Sequence, residues 1–427
     1  MNLQKNIIAN YIGTIATALA PILALPWYLE ALGPEQFGLI GFVAMLQVLL
    51  GLLDAGMSQA LVREITIRMI SPKAEQQRVA SLLVGFEGIY WGFAFTAGCF
   101  IALIAGIITT HWLKLENLPS EVGKEAIYGA AAIFAAQFPG SVYRSVLVGA
   151  QAQVTLNIIM FFSSITRHFG GVIIVLYFPT LLTYLIWHAS IAMLETLLRG
   201  KMAWRTLNIK RSKIKWELKE MRPPVQFIMS MSGAALLGVL TVQMDRIVLS
   251  LMVTIEQFGY YTVAATVAVG MLQLIYPLVQ AVLPRAIQLR ADPIGLRCLS
   301  AKLAALIGLL AVLGALIFIA FGKWLLNFWL KSPAAVTAVY PILSVLLIGT
   351  ILNAFYNVGY MNWIVHENCH SIMLVNSLAL LLSVILIPWL VIWQGTIGAA
   401  FGWLAINLIG FFLSLEWIKL KQYDSNN

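Results

Sequence analysis

The chain has 427 residues, of which 60% are hydrophobic and 11% charged, with a formal net charge of +9. A soluble domain carries about 25% charge, so the composition excludes a soluble enzyme and describes a polytopic membrane protein. The positive excess sits in loops on one side of the predicted spans, which is no nucleic-acid signature. Cys99, Cys298 and Cys369 have neither disulfide nor metal-ligand spacing.

A bilayer core demands about 20 apolar residues per helix. Twelve stretches meet that length: residues 7–30, 37–62, 80–110, 125–148, 154–178, 180–199, 225–252, 257–283, 300–330, 334–362, 369–393 and 397–418. The first apolar run continues to Leu29, long enough to span, and is read as a retained helix rather than a leader. The predicted class is all-α. Residues 1–200 form an N-terminal six-helix lobe, 201–224 a basic linker, 225–420 a C-terminal six-helix lobe and 421–427 a tail.

The linker, Lys201 to Pro224, is the one long polar run, with eight Lys or Arg residues. Its apolar residues Trp204, Leu207, Ile214, Leu218 and Met221 fall at helical steps. A basic helix with such a face is expected in the cytoplasmic membrane interface; a solvated linker is the alternative. Arg63, Arg68, Lys73, Arg78, Arg144, Arg285, Arg290, Arg297, Lys302, Lys419 and Lys421 lie on the linker's side, against Lys114, Lys124, Lys323 and Lys331 opposite. Lys and Arg concentrate in cytoplasmic loops, so both termini are expected in the cytoplasm.

The two halves repeat a landmark. Glu35-Gln36-Phe37-Gly38 opens the second span and Glu256-Gln257-Phe258-Gly259 the eighth. Each follows the first hairpin of its half, and each precedes a span that closes on a basic residue, Arg63 or Arg285. With an even number of spans per half, the repeats are parallel, an arrangement that suits alternating access around a midplane cavity.

The stretch Asn6 to Ile65 resembles the start of Wzx-type polysaccharide-transport flippases, of the superfamily that includes MATE exporters and the lipid II flippase. Pro26, the Leu32-Gly33-Pro34 turn, Phe37-Gly38 and Leu53-Asp54-Ala55-Gly56-Met57-Ser58 before Arg63-Glu64 carry the resemblance. Met244-Asp245-Arg246 to Ser250, Phe258-Gly259-Tyr260-Tyr261 and Tyr143 to Asn157 extend it. The resemblance implies a MATE-like fold, a bacterial inner-membrane location and a substrate: an oligosaccharide joined through diphosphate to a polyprenol. That substrate would pass from the cytoplasmic to the outer leaflet, with membrane lipids and a polysaccharide-assembly complex as surroundings. A monomer without cofactor is expected.

Charge at mid-membrane costs about 2.5–3.5 kcal/mol on insertion scales, so each polar residue in a span needs a reason. Arg167 lies near the middle of the fifth span beside His168. Arg167 suits a diphosphate through its paired donors, or else pairs with a neighbouring helix through Glu87 or Asp54. His168 is either a titrating group or a hydrogen-bonded lumen residue. Asp245, next to Arg246 in the seventh span, is expected to bond across the lobes as a gate or ion site, with a capping role as the alternative. Gln47, Asp54 and Ser58 share one helical face, which lines the lumen or satisfies backbone groups near Gly51 and Gly56. Glu87, Tyr90 and Trp91 group on the third span, for sugar stacking or for packing.

Asn10, Thr14 and Thr17 form a stripe on the first span, where Pro21 and Pro26 are expected to bend the helix. In the superfamily such a bend takes part in gating. Asn353, Asn357 and Tyr360 share a face of the tenth span, for sugar contact or for helix-to-helix bonds. His188 and Glu195 lie on the sixth span, with Arg199 as a neighbour for Glu195. Coupling to proton or sodium antiport would use Asp245, Glu87 or His168. The competing readings are a MATE-like cation antiporter, which the central Arg167 disfavours, and a polysaccharide polymerase, which the short outer loops disfavour. No phosphate-binding loop or nucleotide fingerprint is present.

Overall fold

A computed structural model describes the backbone of residues 3–54, 56–69, 73–207 and 222–418, and the side chains of 17–54, 56–69, 78–207, 236–273, 275–368 and 370–418. Among these residues there is no strand. Nine helical stretches are long and apolar enough to cross a membrane by length and composition, and the described apolar part of the first helix, Thr17–Leu32, is shorter. The chain divides into two compact units. One comprises Met1–Val239 with Thr254–Gly259, the other Leu240–Val253 with Tyr260–Asn427.

The first unit begins with α1 (Leu3–Leu32), which runs unbroken through Pro21 and Pro26. The expected proline bend therefore leaves no gap in the helix. Gly33, at φ 80°, turns the chain into α2 (Pro34–Gly51), where Pro34 sits at the first helical position. Glu35 is buried and its carboxylate accepts from the backbone N–H groups of Glu116, Asn117 and Leu118 at 2.7–3.4 Å. That clasp fixes the loop after the third predicted span.

The second to fifth predicted spans are each built from two pieces rather than one rod. After α2, a 3-10 turn (Leu52–Asp54) and Gly56, at φ 81°, precede α3 (Met57–Met69). The third stretch divides into α4 (Lys73–Leu103) and α5 (Ala105–His111). The fourth divides at Phe138-Pro139 into α6 (Ser120–Gln137) and α7 (Gly140–Gly149), where proline has no N–H to donate. The fifth consists of α8 (Gln153–Ile165), a π turn (Thr166–Gly170) and α9 (Gly171–Tyr177). Then α10 (Leu181–Leu207) closes this series.

The core of the first unit gathers Leu61, Leu82, Phe86, Tyr90, Phe138 and Val146. Ala203 and Leu207 belong to it as well. Lys201 to Leu207, predicted to open the polar linker, are thus the last turns of α10, with one face in the core. The rest of the expected interfacial helix, residues 208–221, lies outside the described residues.

The paired motifs explain themselves in space. The first turn of α12 (Ile255–Gln288) belongs to the first unit. A Cβ on Gly38 would lie 1.9 Å from the Ile255 carbonyl oxygen, and one on Gly259 would lie 3.0 Å from the Gly38 Cα. The two repeated motifs touch through their glycines.

The second unit takes the end of α11 (Arg222–Met252), most of α12, then α13 (Pro293–Leu330), α14 (Pro333–Val365), α15 (Cys369–Gln394) and α16 (Thr396–Ser414). Asp292, Ser332 and Asn368 cap α13, α14 and α15 by accepting from Gly295, Ala335 and Ser371 N–H groups. Helices α14 and α16 approach closely because glycines of α14 stand at the contacts. A Cβ on Gly349 would lie 2.6 Å from Trp403, and one on Gly359 2.3 Å from the Ser414 carbonyl oxygen. In lipid no hydrophobic force separates helix from solvent, so such packing is what joins helices.

Candidate functional site

The π turn that interrupts the fifth span sets up a polar group in the first unit. A π turn spreads the hydrogen-bond ladder and leaves carbonyls needing new donors. Here the Trp187 indole donates to the carbonyls of Thr166 and Arg167, each at 3.1 Å. The Tyr28 hydroxyl donates to the His168 carbonyl at 2.7 Å. Gly170 and Gly171 make room for these two side chains. A Cβ on Gly170 would lie 2.7 Å from the Trp187 ring, and one on Gly171 2.3 Å from the Tyr28 hydroxyl.

With the backbone held this way, the Arg167 side chain reaches α10. Its Nη2 donates to Glu195 Oε2 at 2.5 Å, while Arg199 Nη2 donates to the other oxygen of the same carboxylate. One buried glutamate thus serves two arginines, and the group keeps one net positive charge. Arg167 Nε, Arg199 Nε and His188 Nε2 are buried without a hydrogen-bond partner among the described residues. The expected partners of Arg167, Glu87 and Asp54, are engaged elsewhere. Glu195 holds Arg167 because α8 and α10 pack together, which sequence distance concealed.

Aromatic rings surround the group. Tyr184 stacks on His188 with centroids 3.9 Å apart, His168 meets His188 edge-on at 5.5 Å, and Tyr28 meets Tyr184 edge-on at 5.0 Å. Tyr28, Tyr184 and Trp187 were absent from the sequence-based site. The signal that could have pointed to them is the Gly170-Gly171 pair, one residue beyond Arg167-His168.

The other predicted residues fall into separate groups. Gln47, Asp54 and Ser58 do not share a continuous helix, because the 3-10 turn divides α2 from α3. Gln47 donates to the Ala130 carbonyl at 2.7 Å. Asp54 accepts from the Ser58 backbone N–H, the Ser58 hydroxyl and the Tyr90 hydroxyl, so it caps α3 in the manner of an N-cap carboxylate. Tyr90 is fully buried and stacks on Phe138 at 4.8 Å, which is packing rather than a face open to sugar. Glu87 is buried and accepts from the Trp204 indole at 2.8 Å. The side chains of Asn10 and Thr14 lie outside the described residues.

In the second unit, Asp245, expected to bond across the lobes, has these partners among the described residues. It accepts from the Arg246 backbone N–H at 2.7 Å and from the Tyr261 hydroxyl at 2.5 Å, all within its own unit. Asn353 donates to Asn407 at 2.6 Å, and Asn357 donates back to Asn353. The expected polar stripe of α14 is therefore a helix-to-helix ladder toward α16, with Asn353, Asn357 and Tyr360 still partly exposed. Tyr360 rests against Tyr356 and Trp363, at centroid distances of 5.8 and 6.5 Å. No group of three or more metal-ligating side chains occurs among the described residues.

Comparison with known proteins places this arrangement. The chain is 24% identical over 425 residues to the putative O-antigen transporter of Shigella flexneri, covering 99% of this chain and 98% of that one. Its fold is similar to the lipid II flippase MurJ in an inward closed conformation, with a TM-score of 0.74 at 15% identity over 97% of this chain and 87% of that one. It is similar also to an inward-facing multidrug resistance MATE transporter of the MOP superfamily, with a TM-score of 0.76 at 13% identity over 98% and 100% of the two chains. The pattern that defines the family described as "Polysaccharide biosynthesis protein" matches residues 3–290, more than half of the sequence, and the chain belongs to that family.

Proposed function

We propose that this protein is a flippase. It carries an oligosaccharide linked through diphosphate to a polyprenol, such as an O-antigen repeat unit, from the cytoplasmic to the outer leaflet of the bacterial inner membrane by alternating access. Family membership and the O-antigen transporter relative support the substrate class. The observation that carries the reading to particular atoms is the Arg167–Glu195–Arg199 group. Two guanidiniums share one carboxylate, so one positive charge and two buried Nε donors are left over, that of Arg167 near the middle of the fifth span. A diphosphate supplies the missing acceptors and charge.

Both termini face the cytoplasm in this reading, because the Lys- and Arg-rich loops do. The diphosphate carries about two negative charges, and each is worth about 2.3 kcal/mol per 100 mV of membrane potential. A negative interior thus favours outward movement without a coupled ion; proton or sodium antiport would reset the empty carrier. The chain acts as a monomer and makes or breaks no covalent bond in its substrate.

The test is transfer of a labelled polyprenyl-diphosphate oligosaccharide between leaflets of liposomes containing the purified protein. The expected result is transfer that accelerates when the receiving side is positive and that falls at least about tenfold in Arg167→Ala, with partial activity in Arg167→Lys. Transfer indifferent to both the potential and Arg167 would remove the anion argument.

A further inference from the structure

A polar cavity of about 560 Å³ lies wholly inside the second unit. It sits where five helix ends meet: the end of α12, the start of α13, the end of α14, the start of α15 and the 3-10 turn Leu415–Ile418 after α16. Its walls combine Arg290, Arg297, His366 and His370 with the indoles of Trp363 and Trp417. One carboxylate, Glu416, is itself in the wall, and a second, Glu367, lies beside it. Glu367 pairs with Arg290 at 2.7 Å, and Glu416 accepts from the Trp363 indole at 3.4 Å. Arg297 makes no hydrogen bond or ion pair with any described residue, so its guanidinium is an unpaired donor in the wall, and Glu416, held by the Trp363 indole, is the acidic member of the same wall. The starts of α13 and α15 are capped, Asp292 accepting from the Gly295 N–H and Asn368 from the Ser371 N–H.

A donor-rich cavity with an unpaired guanidinium calls for an acceptor-rich anion, and phosphate oxygens match that fork. The surroundings say where the phosphate comes from. Leu296 and the two indoles form an apolar wall. Directly after Arg297, α13 runs on as a bilayer-length stretch of which 11% is buried, and Ile294 in its first turn is 75% exposed. A soluble anion has no use for such a wall. A phospholipid does, with its headgroup at the interface and its acyl chains along the exposed flank of α13. Basic pockets between helices at the membrane surface recognise anionic lipid headgroups, and Trp is at home at that depth.

We propose that this cavity binds the phosphate of an anionic phospholipid through Arg297. The inference needs only a membrane around the second unit, and stands apart from the transported substrate.

The experiment is native mass spectrometry of the full chain in detergent, titrated with dioleoylphosphatidylglycerol or with dioleoylphosphatidylcholine. The phosphatidylglycerol adduct should survive better than the phosphatidylcholine adduct, and Arg297→Gln should weaken it about fivefold while leaving phosphatidylcholine binding unchanged, the worth of one basic residue at an anionic surface. Equal retention of the two lipids, or an unaltered adduct in Arg297→Gln, would overturn the proposal. Competition by glycerol phosphate at the same concentration as the lipid would overturn the lipid source and leave a soluble-anion site. Should Arg297→Gln fail to fold, a photoactivatable phosphatidylglycerol on the unmodified protein decides. Labelling within 290–297, 363–371 or 415–418 supports the site, and labelling confined to other segments refutes it.

Discussion

Gly38 and Gly259, the last residues of the two repeated Glu-Gln-Phe-Gly motifs, lie against each other. A Cβ on Gly259 would fall 3.0 Å from both the Cα and the backbone nitrogen of Gly38. Gly38 faces the tighter constraint, because a methyl there would collide with the Ile255 carbonyl, a backbone atom that no rotamer change can move. We predict that Gly38→Ala destabilises the protein by about 2–3 kcal/mol, at the high end for overpacking, with Gly259→Ala somewhat milder. Thermal unfolding of the two variants in detergent, read side by side, checks the order.

Glu195 is the keystone of the polar group beneath the π turn. Removing one partner from a buried ion pair is expected to cost about 3–5 kcal/mol, because the other charges stay behind unpaired. Glu195→Ala should therefore lower the melting temperature markedly. Arg167→Met alone should cost less, since Arg199 still holds the carboxylate. A double-mutant cycle between positions 167 and 195 should show a coupling of about 1–3 kcal/mol. Additive effects would mean that the two side chains do not interact in the membrane.

The π turn depends on space for Tyr28 and Trp187. Gly171→Ala should push the Tyr28 hydroxyl away from the His168 carbonyl and cost about 1–3 kcal/mol. Tyr28→Phe removes the clashing atom, at the expense of one hydrogen bond of about 1 kcal/mol. The pair should thus be less damaging together than the sum of the single changes. Stability measured for all three variants distinguishes this from a simple loss of packing.

Asp54 is expected to act through the start of α3. Asp54→Ala should lose the cap and strand the Ser58 N–H, for about 0.5–2 kcal/mol. Tyr90→Phe should show a smaller loss, because its ring stays stacked on Phe138. If Asp54→Asn and Asp54→Ala abolish transfer at unchanged stability, the residue has a role in transport beyond capping.

Much of this architecture was legible in the sequence because lipid imposes it. Backbone groups have no water to bond in a bilayer, so spans must be helical and about 20 residues long, and hydropathy alone locates them. The predicted stretches fall on helical segments, and among the described residues nine such segments are long and apolar enough to cross a bilayer. The isolated charge at Arg167 was visible for the same reason, since a charge in a span stands out against the cost of placing it there.

What hydropathy does not encode is how a span is broken and which side chains meet. The 3-10 turn at Leu52–Asp54, which separates Gln47 from Ser58, and the π turn at Thr166–Gly170 leave composition unchanged while redirecting side chains. The partner of Arg167 was decided by the packing of α8 on α10, and that of Asp245 by Tyr261 sixteen residues away in the same unit. Periodicity places residues on a face of their own helix; only tertiary packing says what that face meets. The bilayer's demand for helices made the sequence sufficient for the fold, and the directional nature of hydrogen bonds and ion pairs left the site to the three-dimensional structure.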